Sequence, residues 1–188
     1  MSWPNTTYPH LEVGWDDLRF PAQGINPPGL ASDPSVDSTT GLLLFAGNAD
    51  NLIAGVAQMP HDWLEGSPIR PHIHLIFPTS NAGKNTRWKF EYNRANNNET
   101  YENAYGSYTT LATITVANPA STATLLLPDG FGNLSMTGYR VSCCILWKLS
   151  RLASSDAADD DANACALVEL DIHYQRDGLG SKQELRKR

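Results

Sequence analysis

Thr86-Arg87-Trp88-Lys89-Phe90-Glu91-Tyr92-Asn93-Arg94 decides the fold class. Trp88, Phe90 and Tyr92 occupy every second position, with Lys89, Glu91 and Asn93 between them. A period of two puts the aromatics on one face of an extended chain and the polar residues on the other. A helix would scatter both sets around its axis. Such alternation marks an antiparallel strand with one face in a core and one in water. The pattern recurs further along. Over Tyr139 to Leu149, the residues Val141, Cys143, Ile145, Trp147 and Leu149 share a face. Over Ala164 to Gln175, Ala166, Val168, Leu170, Ile172 and Tyr174 oppose Glu169, Asp171, His173 and Gln175.

Shorter apolar or β-branched runs fill the space between: Thr40 to Ala46, Asn51 to Gln58, Ile69 to Phe77, Tyr108 to Val116 and Thr122 to Leu127. Turn-forming residues separate them, including Gly47-Asn48-Ala49-Asp50 and Pro128-Asp129-Gly130. Pro60 to Gly66 has room for one helical turn. No amphipathic helix of ten residues and no fixed-period repeat is present. Only 18% of the 188 residues are charged, against about 25% in an average domain. Exposed helices are usually written in Glu, Lys and Arg, so this shortage also points away from a helical bundle. Eight or nine strands, several at roughly 8–12-residue spacing, predict an all-β fold. Two antiparallel sheets burying their alternating faces on one another make a β-sandwich, with a jelly roll the expected arrangement.

Three regions are expected. Residues 1–39 hold Pro4, Pro9, Pro21, Pro27, Pro28 and Pro34, which suit neither a helix nor a central strand. They also hold Trp3, Tyr8, Trp15 and Phe20, and disordered segments are poor in such residues. This stretch therefore reads as an extended arm whose aromatics cover a surface, either of its own domain or of a neighbouring subunit. Residues 40–176 form the sandwich, and 177–188 a polar basic tail.

Charge and cysteine content remove several functions. Lys182, Arg186, Lys187 and Arg188 against Glu184 leave the last seven residues at +3, so the rest carries −9 to reach the net −6. An acidic body argues against nucleic-acid binding, whereas Arg186, Lys187 and Arg188 suit contact with an acidic partner. No apolar run approaches the roughly 18 residues of a membrane helix, and the first residues lack the basic and apolar regions of a secretory signal. Cys143, Cys144 and Cys165 show no zinc spacing and read as reduced thiols.

Pro71-His72-Ile73-His74 is the sharpest chemical candidate, because residues two apart on a strand project the same way. His173 lies beside Asp171 on another strand. If those strands are neighbours, His72, His74, His173 and Asp171 are candidate metal ligands. Gly66, His72 and His74 also match the opening of the cupin metal motif. Cupins next require a Glu, where this chain has Phe77-Pro78-Thr79. Asn81-Ala82-Gly83-Lys84-Asn85 lacks the first Gly and the final Ser or Thr of a phosphate loop. Asp159-Asp160-Asp161 lacks the alternation of a calcium loop and reads as a solvated acidic turn. No catalytic motif remains, and no cofactor is expected.

Three stretches carry a resemblance: Trp15 to Pro21, Met59-Pro-His-Asp-Trp-Leu-Glu-Gly-Ser-Pro-Ile-Arg-Pro-His-Ile-His-Leu75, and Asp171-Ile-His-Tyr-Gln-Arg-Asp-Gly-Leu-Gly-Ser-Lys-Gln-Glu184. In this order, spread over most of the chain, they resemble a family of small structural proteins of tailed bacteriophages. Leu75 stands where relatives often carry an aromatic. The resemblance implies a non-enzymatic virion component made in a bacterial cytoplasm. The leading expectation is a capsid decoration or cement protein that binds the major capsid protein and forms a homo-oligomer such as a trimer. A tail, collar or head-fibre component is the second reading, and a cupin-like metal-binding protein the third.

Overall fold

In the computed structural model, residues 14–177 are described, except Pro28 and Asp129. Ten strands form among them: β1 (Gly14–Pro21), β2 (Ser35–Val36), β3 (Leu43–Phe45), β4 (Asn51–Gln58), β5 (Arg70–Phe77), β6 (Asn85–Ala95), β7 (Thr109–Ala117), β8 (Thr124–Leu126), β9 (Cys144–Arg151) and β10 (Cys165–Arg176). A single 3-10 turn, Ala22–Gly24, follows β1. The Pro60 to Gly66 segment is not helical; Trp63 N–H closes a turn onto Pro60 O at 3.2 Å. No helix among the described residues is long and apolar enough to cross a membrane.

Strands β3 to β10 divide into two antiparallel sheets, ordered β3-β10-β5-β8 and β4-β9-β6-β7. The outermost pairings follow the sequence inward. β3 lies beside β10, β4 beside β9, β5 beside β8, and β6 beside β7. Alternate pairs go to opposite sheets, which is the jelly-roll winding. The core between the sheets holds Phe45, Phe77, Trp88, Phe90, Ile145, Trp147 and Leu149. Phe45 and Trp88 meet with ring centroids 4.8 Å apart.

The expected boundary at residue 39 differs from the structure. β1 pairs with β10 from Gly14↔Arg176 to Pro21↔Glu169, and β2 extends the edge beyond β3. β3 covers only the first residues of β10, so the rest of that edge is open for β1. Pro21 sits at the end of β1, where its missing N–H costs the ladder little. Phe20, expected at a subunit interface, turns inward instead. Its ring stands edge-on to Trp147 at 5.2 Å, joining β1 to the opposite sheet. Trp15, also expected at a subunit interface, is 47% exposed in the chain. Trp3, Tyr8, Arg186, Lys187 and Arg188 lie outside the described residues.

Two local features also depart from simple alternation. A bulge between Leu167 and Glu169 shifts the register of β10 on β5, so Cys165 and Leu167 face the core and Val168 is half-exposed. On β6, Asn93 is on the polar face yet buried. Its Nδ2 donates to Asn103 O at 3.2 Å and its Oδ1 accepts from Asn103 N at 3.1 Å, beneath the following loop.

The Asp159-Asp160-Asp161 turn is not solvated. Asp161 is 1% exposed, and its carboxylate accepts from Asn81 Nδ2 at 2.8 Å and Asn118 Nδ2 at 2.5 Å. Asp159 pairs with the fully buried Arg151. The acids tie the β9–β10 connection to the start of β6, with Asp160 accepting from Asn85 N at 2.7 Å.

Burial also governs the cysteines. It pushes the Cys143 thiol up to about 12 and raises that of Cys165 as well. Thiolate is the reactive form, so both are inert in the folded chain. Iodoacetamide at pH 8 is expected to alkylate half-buried Cys144 first, and Cys143 and Cys165 only after denaturation. Peptide mass spectrometry reads the order, and equal rates at all three would contradict the packing.

Candidate functional site

The central strands of the larger sheet run β1-β10-β5. Their inward residues, including Ile73, Leu75, Leu170 and Ile172, are buried in the core. By alternation, the outward face carries Trp15, Asp17 and Arg19 from β1. It also carries Glu169, Asp171 and His173 from β10, and Arg70, His72 and His74 from β5. The register sets Arg19 opposite Asp171 and Asp171 opposite His72. It likewise sets Asp17 opposite His173 and Glu169 opposite His74.

Three of the four metal candidates converge. His72 Nδ1 lies 2.6 Å from Asp171 Oδ1, and His74 Nε2 lies 3.2 Å from Asp171 Oδ2. The Nε2 atoms of His72 and His74 are 2.7 Å apart. Asp171 is 3% exposed and His72 8%. The short His72–Asp171 approach is off-axis, so neither Nδ1 nor Oδ1 has a hydrogen-bond partner although both are buried. His173 is on the same face but not in this set. Its ring stacks on that of His72 with centroids 4.1 Å apart, while its Nδ1 pairs with Asp17.

Two neighbours were not singled out by sequence. Arg19 grips Glu169 with two bonds of 2.6 Å, from Nε to Oε1 and from Nη2 to Oε2. That bond and the Glu169 charge hold Arg19 above the usual arginine range. Gly130 is the second. A Cβ there would lie 2.5 Å from Pro71 O and 2.8 Å from His72 Cβ, so only glycine lets this loop rest on β5. Phe131 N–H then donates to Pro71 O at 3.0 Å. The Asp129-Gly130 turn signal was legible, but its partner on β5 was not.

A cleft of about 480 Å³ opens beside the cluster, lined by Arg70, His72, Leu127, Gly130, Asn133 and His173 among others. The Arg70 guanidinium lies 5.0 Å over the Trp15 ring, and Leu127 is exposed on the cleft wall. The cupin expectation fits poorly, because His72 and His74 project away from the sandwich core that holds Ile73 and Leu75.

The stretches carrying the phage resemblance meet on this face. Trp15 to Pro21 belongs to β1, Arg70 to Leu75 to β5, and Asp171 to Gln175 to β10. The intervening Met59 to Gly66 segment docks on the end of β10, with Leu64 N–H donating to Gln175 O at 2.7 Å. Arg176 fastens it further, its Nε lying 2.6 Å from Asp62 Oδ2 and its Nη1 2.9 Å from Asp16 Oδ2.

No family profile matches the chain, and no curated protein matches it. Among solved structures, an isomalto-dextranase of Arthrobacter globiformis T6 complexed with panose matches at TM-score 0.42 and 19% identity, over 83% of this chain and 23% of that one. The infectious bursal disease virus Gx strain structure matches at TM-score 0.38 and 12% identity, over 89% and 33%. The CBM22-2 xylan-binding domain of Paenibacillus barcinonensis Xyn10C matches at TM-score 0.36 and 7% identity, over 84% and 98%. This chain thus spans a third or less of the first two. At these scores the similarities carry no information on chemistry, and the all-β sandwich stands on its own strand pairing.

Proposed function

We propose that this chain is a non-enzymatic structural component of a tailed-bacteriophage virion, a decoration protein that binds neighbouring capsid subunits. One observation carries the reading. Three stretches chosen by resemblance, more than a hundred residues apart at their extremes, contribute to the adjacent strands β1, β10 and β5, where they supply outward residues such as Trp15, Arg19, His72 and His173 as well as core residues such as Ile73 and Ile172. A shared motif confined to a core would reflect packing alone, whereas a shared outward face points to a shared contact. Exposed Trp15 under Arg70 supplies the aromatic and guanidinium pairing common at the centres of protein interfaces.

The chain ends support the same direction. Gly14 pairs with Arg176, so the residues before β1 and after β10 join the sandwich at one end of one sheet. A homo-oligomer, such as a trimer, would repeat that contact around an axis.

Rebinding tests this proposal. Particles from phage deleted for the gene are mixed with recombinant chain and sedimented. The full chain is expected to co-sediment at saturable stoichiometry. A chain starting at Gly14 should keep its melting temperature, because the whole of β1 remains, yet lose at least tenfold in particle affinity. Undiminished binding by that truncation would remove the arm from the interface. No binding by the full chain would overturn the decoration reading.

A further inference from the structure

We propose that His72, His74 and Asp171 form a binding site for one divalent first-row transition ion of the zinc class, joining β5 to β10 on the outer face of the sheet. This goes beyond the proposed virion role and does not depend on it. One candidate donor atom from each of the three residues lies within 4.8 Å of the others. Donors on a single zinc ion, with bonds of about 2.0–2.2 Å, stand roughly 3–3.5 Å apart in a tetrahedral site. The 3.2 Å between His74 Nε2 and Asp171 Oδ2 falls in that range, while the 2.7 Å between the two Nε2 atoms is shorter and has to widen by a few tenths of an ångström to admit the ion.

The remaining pair of atoms is the second observation. His72 Nδ1 faces Asp171 Oδ1 at 2.6 Å, both buried and without a well-formed hydrogen bond, so the same carboxylate that faces His74 also orients the His72 ring. A buried carboxylate left this way is costly unless a cation compensates it. The nearest arginine across the strand, Arg19, adds positive charge at a distance but gives its hydrogen bonds to Glu169. His173 is likewise engaged with Asp17. In direct contact with the carboxylate, only the two imidazoles remain, and both can serve as ligands of a metal ion.

The histidine geometry favours the metal. Two Nε2 atoms 2.7 Å apart cannot both carry protons, since the two N–H groups would collide. One proton between them satisfies the pair but leaves Asp171 facing a single shared charge. A divalent ion accepts a lone pair from each imidazole and brings two charges to the carboxylate. Imidazole with carboxylate suits zinc and its first-row neighbours, whereas calcium and magnesium prefer all-oxygen sites. The adjoining cleft reaches His72 and leaves room for water to complete the coordination.

The experiment uses the isolated full chain, stripped with chelator and titrated with zinc chloride in a calorimeter. One equivalent of zinc is expected to bind, and a hundredfold excess over Kd to raise the melting temperature by roughly 5–10 °C. Magnesium and calcium should do neither. His74→Ala changes a half-exposed residue, and Asp171→Asn preserves shape. Each should stay folded by circular dichroism and lose at least tenfold in zinc affinity. His173→Ala should retain one equivalent. If His74→Ala fails to fold, His74→Gln gives the same reading with less lost packing. Stoichiometric binding lost in these variants supports the site. No zinc binding by the folded chain, or binding unchanged in both ligand variants, overturns it and leaves a shared proton as the compensating charge.

Discussion

Replacing Arg151 by Ala is expected to destabilise the sandwich by about 3–5 kcal/mol, the cost of leaving one partner of a buried ion pair alone. Arg151 ends β9 with its side chain and that of Asp159 both fully buried. Its guanidinium makes five hydrogen bonds. Nε and Nη2 reach the Asp159 carboxylate at 2.9 and 2.8 Å. Nη2 also donates to Asp161 O at 2.5 Å, while Nη1 donates to Phe45 O at 3.1 Å and Asn163 O at 2.7 Å. Truncation would leave the buried Asp159 carboxylate with only the Arg87 N–H at 2.9 Å and take a donor from three carbonyls, loosening the junction of β3, β9 and the turn before β10. In a domain of this size the melting temperature should fall by roughly 10 °C. Arg151→Lys should also be costly, because an ammonium cannot reproduce the planar fork. Thermal unfolding followed by circular dichroism measures both, and a loss under about 1 kcal/mol for Arg151→Ala would contradict the network.

Trp147→Ala should cost a similar 3–5 kcal/mol, for a different reason. Trp147 is buried where the two sheets meet β1, and its removal leaves a cavity that a jelly-roll core cannot collapse to fill. On one side stands Phe20. On the other lies the bare backbone of Gly55, where a Cβ would sit 2.3 Å from Trp147 Cζ2. Two companion variants separate packing from polarity. The indole Nε1–H is buried without a hydrogen-bond partner among the described residues, so Trp147→Phe removes an orphaned donor together with some volume. It should lose much less than the Ala variant, about 1 kcal/mol or under. Gly55→Val should overpack the same spot and cost about 1–3 kcal/mol. Equal losses for Trp147→Phe and Trp147→Ala would show that the cavity is not the dominant effect.

The strands were legible where alternation is uninterrupted. Asn51 to Gln58 coincides with β4, whereas the strand expected from Tyr139 begins only at Cys144, after a turn with Ser142 at φ 64°, and runs on to Arg151. β1 was hidden although Trp15, Asp17 and Arg19 alternate with Leu18 and Phe20, because prolines on both sides suggested an arm. Proline there only caps a strand that finds its partner some 150 residues away. The phase change at Val168 was equally invisible, since a bulge belongs to a pair of strands and not to one sequence.

The candidate site divides in the same way. A His-x-His pair on one strand face can be read locally. That Asp171 lies opposite His72, that Asp17 draws His173 away, and that Gly130 makes room for the covering loop all depend on register between distant strands. The acidic turn at Asp159 to Asp161 misled for the same reason. Its partners, Asn81, Asn118 and Arg151, come from three other parts of the chain.

Quantitative mass spectrometry of purified phage particles, calibrated with labelled peptides of this chain and of the major capsid protein, tests the decoration role most directly. A shell-decorating protein is expected at hundreds of copies per particle, in fixed ratio to the capsid protein. Six to a dozen copies would contradict that role and assign the chain to the tail or collar, and absence from the particle would contradict the virion function altogether.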